Sequence, residues 1–329
     1  MSNNPIDAVI LWVDDSDPEW IQKKNQILLN SNVKIEDERF RDEGTLKYVL
    51  RSIEVNAPWM NKVFLVTDGQ KPKFLNLKNT KLRFIKHSDF ISKKYLPTFN
   101  SNVIELNLAN IDELSDNFIL FNDDMIINTP VKENDFFINN TPCDSAIMNP
   151  IFPSFDDISN IIVNDLRIIN DKFSKRNVLR QHFHKFFNVN YGKYNLKNIN
   201  LAYYPLFCGF VDYHIPYSYK KINFIKIYSE YSDNFIQTFN NKFRSTTDIN
   251  HWLIRYWQLA SGKFIPRKCN FGLYLRMSEI DTINLELKNN FHKVLCLNDV
   301  KYNRYFKNDK VKLLEMLEKK FPYKSSFEI

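Results

Sequence analysis

Glycine is scarce in this chain, with six glycines among 329 residues. Neither glycine-rich phosphate-binding pattern, G-x-G-x-x-G or G-x-x-x-x-G-K-[ST], occurs in it. Such patterns hold phosphates on backbone amides that glycine leaves accessible. If this protein handles phosphates, it must therefore do so with a metal ion, arginine side chains and helix N-termini.

Cysteine pairs and long apolar runs are also missing. The four cysteines lie far apart with no C-x-x-C pair, which argues against a disulfide framework or a thiolate zinc site and predicts buried reduced thiols. No apolar run approaches the roughly 20 residues that span a bilayer. The N-terminus, MSNNPID, lacks the pattern of a signal peptide, so we expect a cytoplasmic protein.

Positive charge is in excess, at +7 overall, and is concentrated near the C-terminus. From Lys301 to Lys324, eight Lys or Arg accompany three acidic residues. Residues 309 to 321 have helical periodicity, and the apolar face predicted for this helix carries Val311, Leu314, Leu317 and Phe321. We expect this face to dock onto the domain, and the alternative is a peripheral contact with the cytoplasmic face of a membrane.

Short apolar segments alternate with helical ones in the first 125 residues. The predicted strands are Asp7 to Val13, Asn61 to Thr67, Leu82 to Lys86 and Phe118 to Phe121. The alternation is typical of an α/β protein with a Rossmann-like, GT-A-like, mostly parallel sheet flanked by helices. Each strand ends in polar residues, and the ones expected to meet at the carboxyl edge are Asp14, Asp68, His87 and Asp123. Lys293 to Asp299 is predicted to return to the same edge.

The most informative stretch is Asn117 to Met125, NFILFNDDM, in which an apolar strand ends abruptly in Asn122, Asp123 and Asp124. Adjacent carboxylates at a buried strand end repel each other, and a bound cation relieves that repulsion. We therefore predict that Asp123 and Asp124 hold Mg²⁺, or alternatively Mn²⁺. A solvated turn is the competing interpretation.

The first strand also ends in acidic residues, Asp14, Asp15 and Asp17, followed by Pro18. Asp17 is predicted to cap a helix that Pro18 opens and that continues towards Leu29. A strand, a polar turn and a helix start make a plausible nucleotide site at the carboxyl edge of a sheet.

Two later stretches offer groups for proton transfer and charge neutralisation. In GFVDYHIPYSY, His214 precedes Ile215 and Pro216, and we expect an extended chain that presents it as a general base. A lone histidine is more often structural. In FRSTTDI, Thr246 or Thr247 with Asp248 resembles a helix start, and Arg244 just upstream is placed to clamp a phosphate.

Helical periodicity with many charges runs from about residue 156 to 190. We interpret residues 151–205 as a helical insertion on the acceptor side, 1–150 and 206–305 as two parts of the catalytic core, and 306–329 as the basic C-terminal helix. The cationic residues of the insertion form either a basic face for an acidic acceptor or a solvated surface. They are Arg167, Lys172, Lys175, Arg176, Arg180, His182, His184 and Lys185.

Four blocks of sequence carry a specific resemblance. They are IDAVILWVDDSDPEW from Ile6; RFRDEGTLKYVLRSIEVNAPW from Arg39, continuing through LPTFNS to FNDDM; HIP with FRSTTDI; and CLNDV from Cys296. In this order they resemble the stealth family of sugar-1-phosphate transferases. That family includes bacterial capsular polysaccharide phosphotransferases and the catalytic part of the animal lysosomal-enzyme N-acetylglucosamine-1-phosphotransferase.

The resemblance implies transfer of a hexose-1-phosphate or N-acetylhexosamine-1-phosphate from a UDP-sugar to a hydroxyl of a capsular or glycolipid-linked glycan, with release of UMP. It implies His214 as the base, Arg244 and Arg41 as charge stabilisers, and Asp124 as a catalytic carboxylate and metal ligand. The donor pocket implied by the same resemblance is shaped by Trp12, Asp14, Asp17, Arg51, Asn100, Asn122 and Asp299. The resemblance implies the inner membrane or capsule assembly proteins as further binding partners, and it does not imply nucleic acid as a partner.

The chain departs from the family pattern in two places. Asp14 and Asp15 stand where the first block usually has Asn and Gly, which changes the contact expected at Asp14. Residues 126–200 resemble only the bacterial capsule branch, and we expect acceptor specificity there. The rival functions are a metal-dependent glycosyltransferase that releases UDP and a non-catalytic binder of anionic polymer or membrane.

Overall fold

A computed structural model describes residues 4–29, 40–152, 154, 157–298 and 306–329. The strands are β1 (Ile6–Leu11), β2 (Val63–Thr67), β3 (Leu82–Lys86), β4 (Asn117–Asn122), β5 (Met125–Ile127), β6 (Phe137–Ile138), β7 (Thr141–Asp144), β8 (Tyr217–Lys220), β9 (Ile265–Pro266), β10 (Gly272–Arg276) and β11 (Val294–Asn298). The helices are α1 (Pro18–Leu29), α2 (Leu46–Asn56), α3 (His87–Phe90), α4 (Ser101–Asn107), α5 (Asp157–Lys172), α6 (Lys175–Gln181), α7 (Phe183–Phe186), α8 (Asn195–Ala202), α9 (Lys221–Glu230), α10 (Ser232–Asn240), α11 (His251–Ala260), α12 (Ile280–Asn289) and α13 (Phe306–Lys320).

The central sheet has the strand order β3-β2-β1-β4-β8. The first four strands are parallel, and β8 is antiparallel to β4. β2 is buried along its whole length and β1 along all but its last residue, as expected of strands with helices on both faces. The predicted α/β fold with a mostly parallel sheet is therefore confirmed. Strand β3 has the predicted bounds, whereas β1 ends at Leu11 and β2 begins at Val63.

The antiparallel strand β8 decides where His214 lies. Tyr217 pairs with Leu120 of β4, and the chain then runs back towards Asn117. The residues just before Tyr217 therefore approach the end of β4 at which Asn122, Asp123 and Asp124 follow. A parallel strand in this position would have brought the preceding residues to the opposite edge.

A second sheet, β10-β11-β5, lies next to the first. Lys293 to Asp299 is predicted to return to the edge at which Asp123 lies, and β11 does reach the acidic turn there, but as part of this second sheet, since β8 occupies the outer side of β4. β11 pairs with β5, the strand that follows Asp124 directly, and Cys296 is the partner of Met125. Cys296 is thereby brought to the acidic turn from another sheet.

The C-terminal helix α13 docks onto the domain, as expected. Its buried apolar residues are Leu313 and Leu317, followed by Phe321, whereas Val311 is 56% exposed. Val311 was therefore assigned to the wrong face, since a four-residue step from Leu313 to Leu317 selects a different stripe. Among the described residues, no helix is both long and apolar enough to cross a membrane.

The segment from residue 157 to 202 is helical, as predicted, and most of its buried apolar side chains join the main hydrophobic core. Two of its lysines are tied to backbone carbonyls and do not belong to an open basic face. Lys175 binds the carbonyls of Leu201 and Tyr204, and Lys185 binds those of Gly262 and Phe264. The division of the chain into an insertion and a core stays a prediction.

Candidate active site

The turn after β4 is the centre of a compact cluster of three side chains. Metal-binding atoms of Asp124, His214 and Cys296 all lie within 4.8 Å of one another. The Cys296 thiol donates a hydrogen bond of 3.3 Å to Asp124 Oδ2. The other carboxylate oxygen, Oδ1, is buried and has no hydrogen-bond partner among the described residues. The structure thus brings together two predicted site residues, Asp124 and His214, and adds a third.

Asp123 belongs to a concentration of negative charge. Burial raises its pKa well above the ordinary value, and the carboxylates of Asp124 and Asp42 raise it further. Its backbone carbonyl accepts a hydrogen bond of 2.6 Å from Thr45 Oγ1, which fixes the turn against the N-terminal end of α2. A cation at this turn would relieve the repulsion among the three carboxylates.

His214 has a backbone φ of 48°, in the left-handed region. The expectation of an extended chain at this residue is therefore wrong. Pro216 restricts the backbone of the residue directly before it, which is Ile215, and does not fix the backbone of His214. Burial lowers the pKa of His214 below its ordinary value and the nearby Arg244 adds to this, while Asp124 opposes it. The imidazole is thus neutral at pH 7 and able to accept a proton.

A buried ion pair holds the segment that precedes His214. Arg255 of α11 binds both oxygens of Asp144, at 2.8 and 3.0 Å, and donates to Asp212 Oδ1 at 2.5 Å. The hydroxyl of Tyr256 donates to the second oxygen of Asp212 at 2.5 Å. Sequence reasoning missed this network, and its one local signal is an arginine in the middle of a mainly apolar helix.

Arg244 lies on a loop fixed by a buried aspartate. Asp248 accepts hydrogen bonds from Asn100 Nδ2 at 2.8 Å, Asn102 Nδ2 at 2.9 Å and the Ser245 amide at 3.0 Å. The predicted helix start at Thr246 to Asp248 is wrong, because α11 begins at His251 and is capped by Asn250. Arg244 Nη2 donates to Ser101 Oγ at 2.7 Å, which directs the guanidinium towards α4.

A buried polar chain, also missed from the sequence, lies beside Arg244. The Tyr219 hydroxyl and His251 Nδ1 are 2.6 Å apart, and His251 Nε2 is 3.9 Å from Glu105 Oε2. Burial raises the pKa of Glu105 to about 7, with Arg244 opposing, and burial lowers the pKa of His251 to about 3. Both histidines of the site are therefore uncharged at neutral pH.

The polar residues that follow β1, β2 and β3 each have a polar contact within the protein. Trp12 Nε1 donates to Asp42 Oδ1, at 3.3 Å, next to the acidic turn. His87 Nδ1 lies 3.7 Å from Asp68 Oδ1, where the two residues follow the neighbouring strands β3 and β2. The Asp14 carboxylate accepts from Ser16, and the backbone of Asp14 is bonded to Gln70.

Several residues assigned to the donor pocket have structural partners instead. Asp17 caps α1 through the amides of Glu19 and Trp20, as predicted for its local role. The guanidinium of Arg51 is buried and binds Glu318, Glu328 and the carbonyl of Phe321, and its place in the donor pocket stays a prediction.

Asn100 is fully buried: it caps α4 and binds Asp248. This places it behind the Arg244 loop, where it supports the loop from within the core. Asn122 is partly exposed at the end of β4, and the Arg41 guanidinium lies over the Phe306 ring at 4.9 Å. Asp299 lies outside the described residues.

Taken together, the site combines a neutral imidazole, a guanidinium and a pair of carboxylates suited to a cation. These are the groups that in-line transfer of a phosphoryl group requires: a proton acceptor, positive charge for the transferring oxygens, and a metal for the leaving phosphate.

Comparison with known proteins agrees with this chemistry. Residues 4–32 match conserved region 1 of Stealth proteins, and residues 39–144 match conserved region 2. The chain is 46% identical to a capsular polysaccharide phosphotransferase, WcwK, of Streptococcus pneumoniae over 98% of both chains. It is 40% identical to an exopolysaccharide phosphotransferase, cps2G, of Lactiplantibacillus plantarum, over 98% of this chain and 96% of that one. A receptor polysaccharide phosphotransferase, WefC, of Streptococcus oralis is 33% identical over 99% of this chain and its own full length.

Proposed function

This chain belongs to the Stealth family of phosphotransferases, and from that premise we propose that it moves a sugar-1-phosphate from a UDP-sugar to a hydroxyl of a cell-surface polysaccharide. The acceptor oxygen forms a bond to the phosphorus on the sugar side of the diphosphate. The bond from that phosphorus to the bridging oxygen breaks, and UMP leaves. The product is a phosphodiester, and the acceptor proton passes to the enzyme.

The observation that carries this proposal is the position of the neutral His214 imidazole in the cluster with Asp124. An acceptor hydroxyl at the imidazole can lose its proton as it attacks, and the imidazolium so formed is stabilised by the Asp124 carboxylate. Removing the Asp124 carboxylate would therefore lower the proton affinity of His214.

Arg244 and Arg41 are proposed to neutralise the phosphate oxygens. Arg244 is near enough to His214 to lower its pKa, and a guanidinium binds phosphate oxygens through charge-assisted hydrogen bonds. Arg41 precedes Asp42, a residue of the acidic group around Asp123. Their charges would count most in the transition state, where negative charge on the transferring group is spread over its oxygens.

The acidic turn fits a divalent cation such as Mg²⁺. Asp124 Oδ1 is buried without a partner among the described residues, and the carboxylates of Asp123 and Asp42 lie close by. Oxygen ligands of this kind suit Mg²⁺ or Mn²⁺. Asp123 and Asp124 would hold the ion, which when bound would neutralise the charge of the leaving phosphate.

The nature of the acceptor is supported by the relatives. Their names refer to capsular, exo- and receptor polysaccharides, and we propose a growing polysaccharide or its lipid-linked precursor as the acceptor. Because UDP-sugars are cytoplasmic metabolites, we place the reaction in the cytoplasm. The exposed lysines of α13, Lys307, Lys312 and Lys319, offer a peripheral contact with the anionic face of the membrane.

The test is to identify the products. The protein is incubated with a panel of UDP-hexoses and capsule oligosaccharides in the presence of Mg²⁺, the nucleotide is separated, and the glycan is analysed by phosphorus NMR. We expect UMP and a phosphodiester resonance. Release of UDP with a new glycosidic bond would establish the rival glycosyltransferase, and no turnover of any UDP-sugar would favour a binding protein.

A further inference from the structure

A cavity of about 470 Å³ opens beside His214. Its volume lies in the range of roughly 300–1,000 Å³ that is typical of small-molecule sites. Neither Asp124 nor Arg244 lines it, although both are close to the same histidine. His214 therefore connects two compartments, the charged cluster and this cavity.

The walls of the cavity are aromatic and polar. Tyr194, Tyr213 and Tyr274 line it together with Asn270. Tyr274 is 37% exposed, stands edge-on to the His214 ring at 5.7 Å, and accepts a hydrogen bond of 3.2 Å from Asn298. Tyrosine rings offer an apolar face to the C–H groups of a sugar and a hydroxyl to its oxygens.

The cavity carries little net charge. Asp212 contributes to its lining, but its two oxygens are taken by Arg255 and Tyr256. His292, another lining residue, is bonded to Glu286. A diphosphate would find no free cationic side chain among the residues that line this cavity, whereas a neutral, hydroxyl-rich ring matches it.

We infer that this cavity is the acceptor subsite and binds a neutral hexose residue of the acceptor glycan, so that one sugar hydroxyl faces the His214 imidazole. The inference rests on the proposed function, because it supplies the nucleophile for that reaction. It also revises where acceptor specificity lies. Of the residues that line the cavity, only Tyr194 falls within residues 126–200, and the others come from 212–214, 269–274 and 292.

Three variants test the assignment. Tyr274→Ala removes the ring, and Tyr274→Phe keeps the ring but removes its hydroxyl. Asn270→Trp changes an exposed lining residue into one that fills the cavity. Tyr323→Ala is the matched control, since Tyr323 is 84% exposed in the C-terminal tail and is not a lining residue.

The measurements separate acceptor binding from donor binding. Donor affinity is measured by calorimetry with a UDP-sugar, and acceptor affinity by saturation-transfer NMR with oligosaccharides released from the capsule of the producing strain. Both substrates are also titrated in kinetics. We expect Tyr274→Ala to raise the acceptor KM at least about fivefold. Asn270→Trp should abolish saturation transfer to the acceptor oligosaccharide. The donor Kd should stay within about twofold in the Tyr274 and Asn270 variants. Tyr274→Phe, which keeps the ring, should raise the acceptor KM less than Tyr274→Ala does, and Tyr323→Ala should resemble the wild type in both measurements.

The outcomes distinguish this inference from the proposed reaction. Wild-type protein that binds oligosaccharide through Tyr274 but forms no phosphodiester would refute the reaction and support the subsite. Active wild-type protein whose acceptor KM is unchanged in Tyr274→Ala and Asn270→Trp would overturn the subsite alone. The absence of saturation transfer from wild-type protein to any capsule oligosaccharide would also overturn it.

Discussion

The thiol of Cys296 donates a hydrogen bond to the carboxylate of Asp124, a residue 172 positions earlier in the chain. The contact joins the end of the central sheet to the second sheet, because Cys296 pairs with Met125 in the ladder of β11 and β5. Burial raises the pKa of the thiol well above its ordinary value and the Asp124 carboxylate raises it further, so the thiol stays protonated and acts as a donor.

Cys296→Ser and Cys296→Val separate the hydrogen bond from the packing of this residue. Serine keeps a donor towards Asp124, and we expect kcat within about threefold of wild type. Valine leaves the buried carboxylate oxygen without a donor, and because leaving a buried acceptor unsatisfied costs about 1–3 kcal/mol, kcat should fall at least about fivefold. Equal kcat values for the two variants, with equal melting temperatures, would show that the thiol is not needed to orient Asp124.

Arg244→Ala and Asp124→Ala are each expected to lower kcat by about a hundredfold or more without unfolding the protein. The reason is that each variant removes charge placed around the phosphoryl group. Arg83→Ala is the control for loss of an arginine, because Arg83 pairs with Glu113 at the surface. Steady-state rates and circular dichroism check the prediction, and a near-normal rate would remove that residue from its proposed role.

The lowered pKa of His214 predicts how kcat/KM depends on pH in the acidic range. Burial lowers the pKa of His214 below 6.5, so a base that must be neutral becomes active as pH rises through that lowered value. We expect kcat/KM to increase with pH below 6.5 and to level off at neutral pH. His214→Gln should lose most of the activity and this pH dependence with it. A residual rate that keeps the same acidic limb would assign the titration to another group.

Asn100→Ala tests whether Asn100 acts through the Arg244 loop or on the donor. The substitution leaves the buried Asp248 without one of its donors, which should lower the free energy of unfolding by about 1–3 kcal/mol. The donor KM should change little in protein that remains folded. Urea unfolding and donor titration measure the two effects. A large rise in donor KM with unchanged stability would assign Asn100 to the donor pocket.

Glu105→Gln tests the buried carboxyl next to Arg244. Burial raises the pKa of Glu105 from 4.5 to about 7, so its contribution to stability is full below pH 4.5 and is lost as pH rises through 7. As the pH rises from 5 to 8, the free energy of unfolding of the wild type should fall by roughly 2–3 kcal/mol relative to that of Glu105→Gln, because the glutamine amide does not titrate. Chemical unfolding of both proteins at the two pH values measures this difference, and a constant difference would contradict the raised pKa.

The local structure was largely determined by the sequence. The helix Pro18–Leu29 has the predicted start, because Asp17 accepts hydrogen bonds from the amides of Glu19 and Trp20. Strand β3 has the predicted bounds. Such features depend on neighbours within a few residues, and hydrophobic periodicity and capping chemistry specify them.

The partners of the polar residues were decided by the tertiary structure. Arg51 and Asn100 belong to motifs that the family resemblance assigns to the donor pocket, yet their side chains bind Glu328 and Asp248, 277 and 148 positions away. A sequence shows that a charge or an amide is present. It does not show which distant group the fold will set beside it.

The active site likewise has some features that the sequence determined and others that the tertiary structure decided. The sequence alone marked Asp123 and Asp124 at a strand end and His214 as a candidate base. Only the antiparallel course of β8 brings His214 to that strand end, and only the separate sheet that continues through β5 brings Cys296 there. Strand order and direction are set by the packing of the whole core, so contacts between segments distant in the chain cannot be obtained from the local pattern of any one of them.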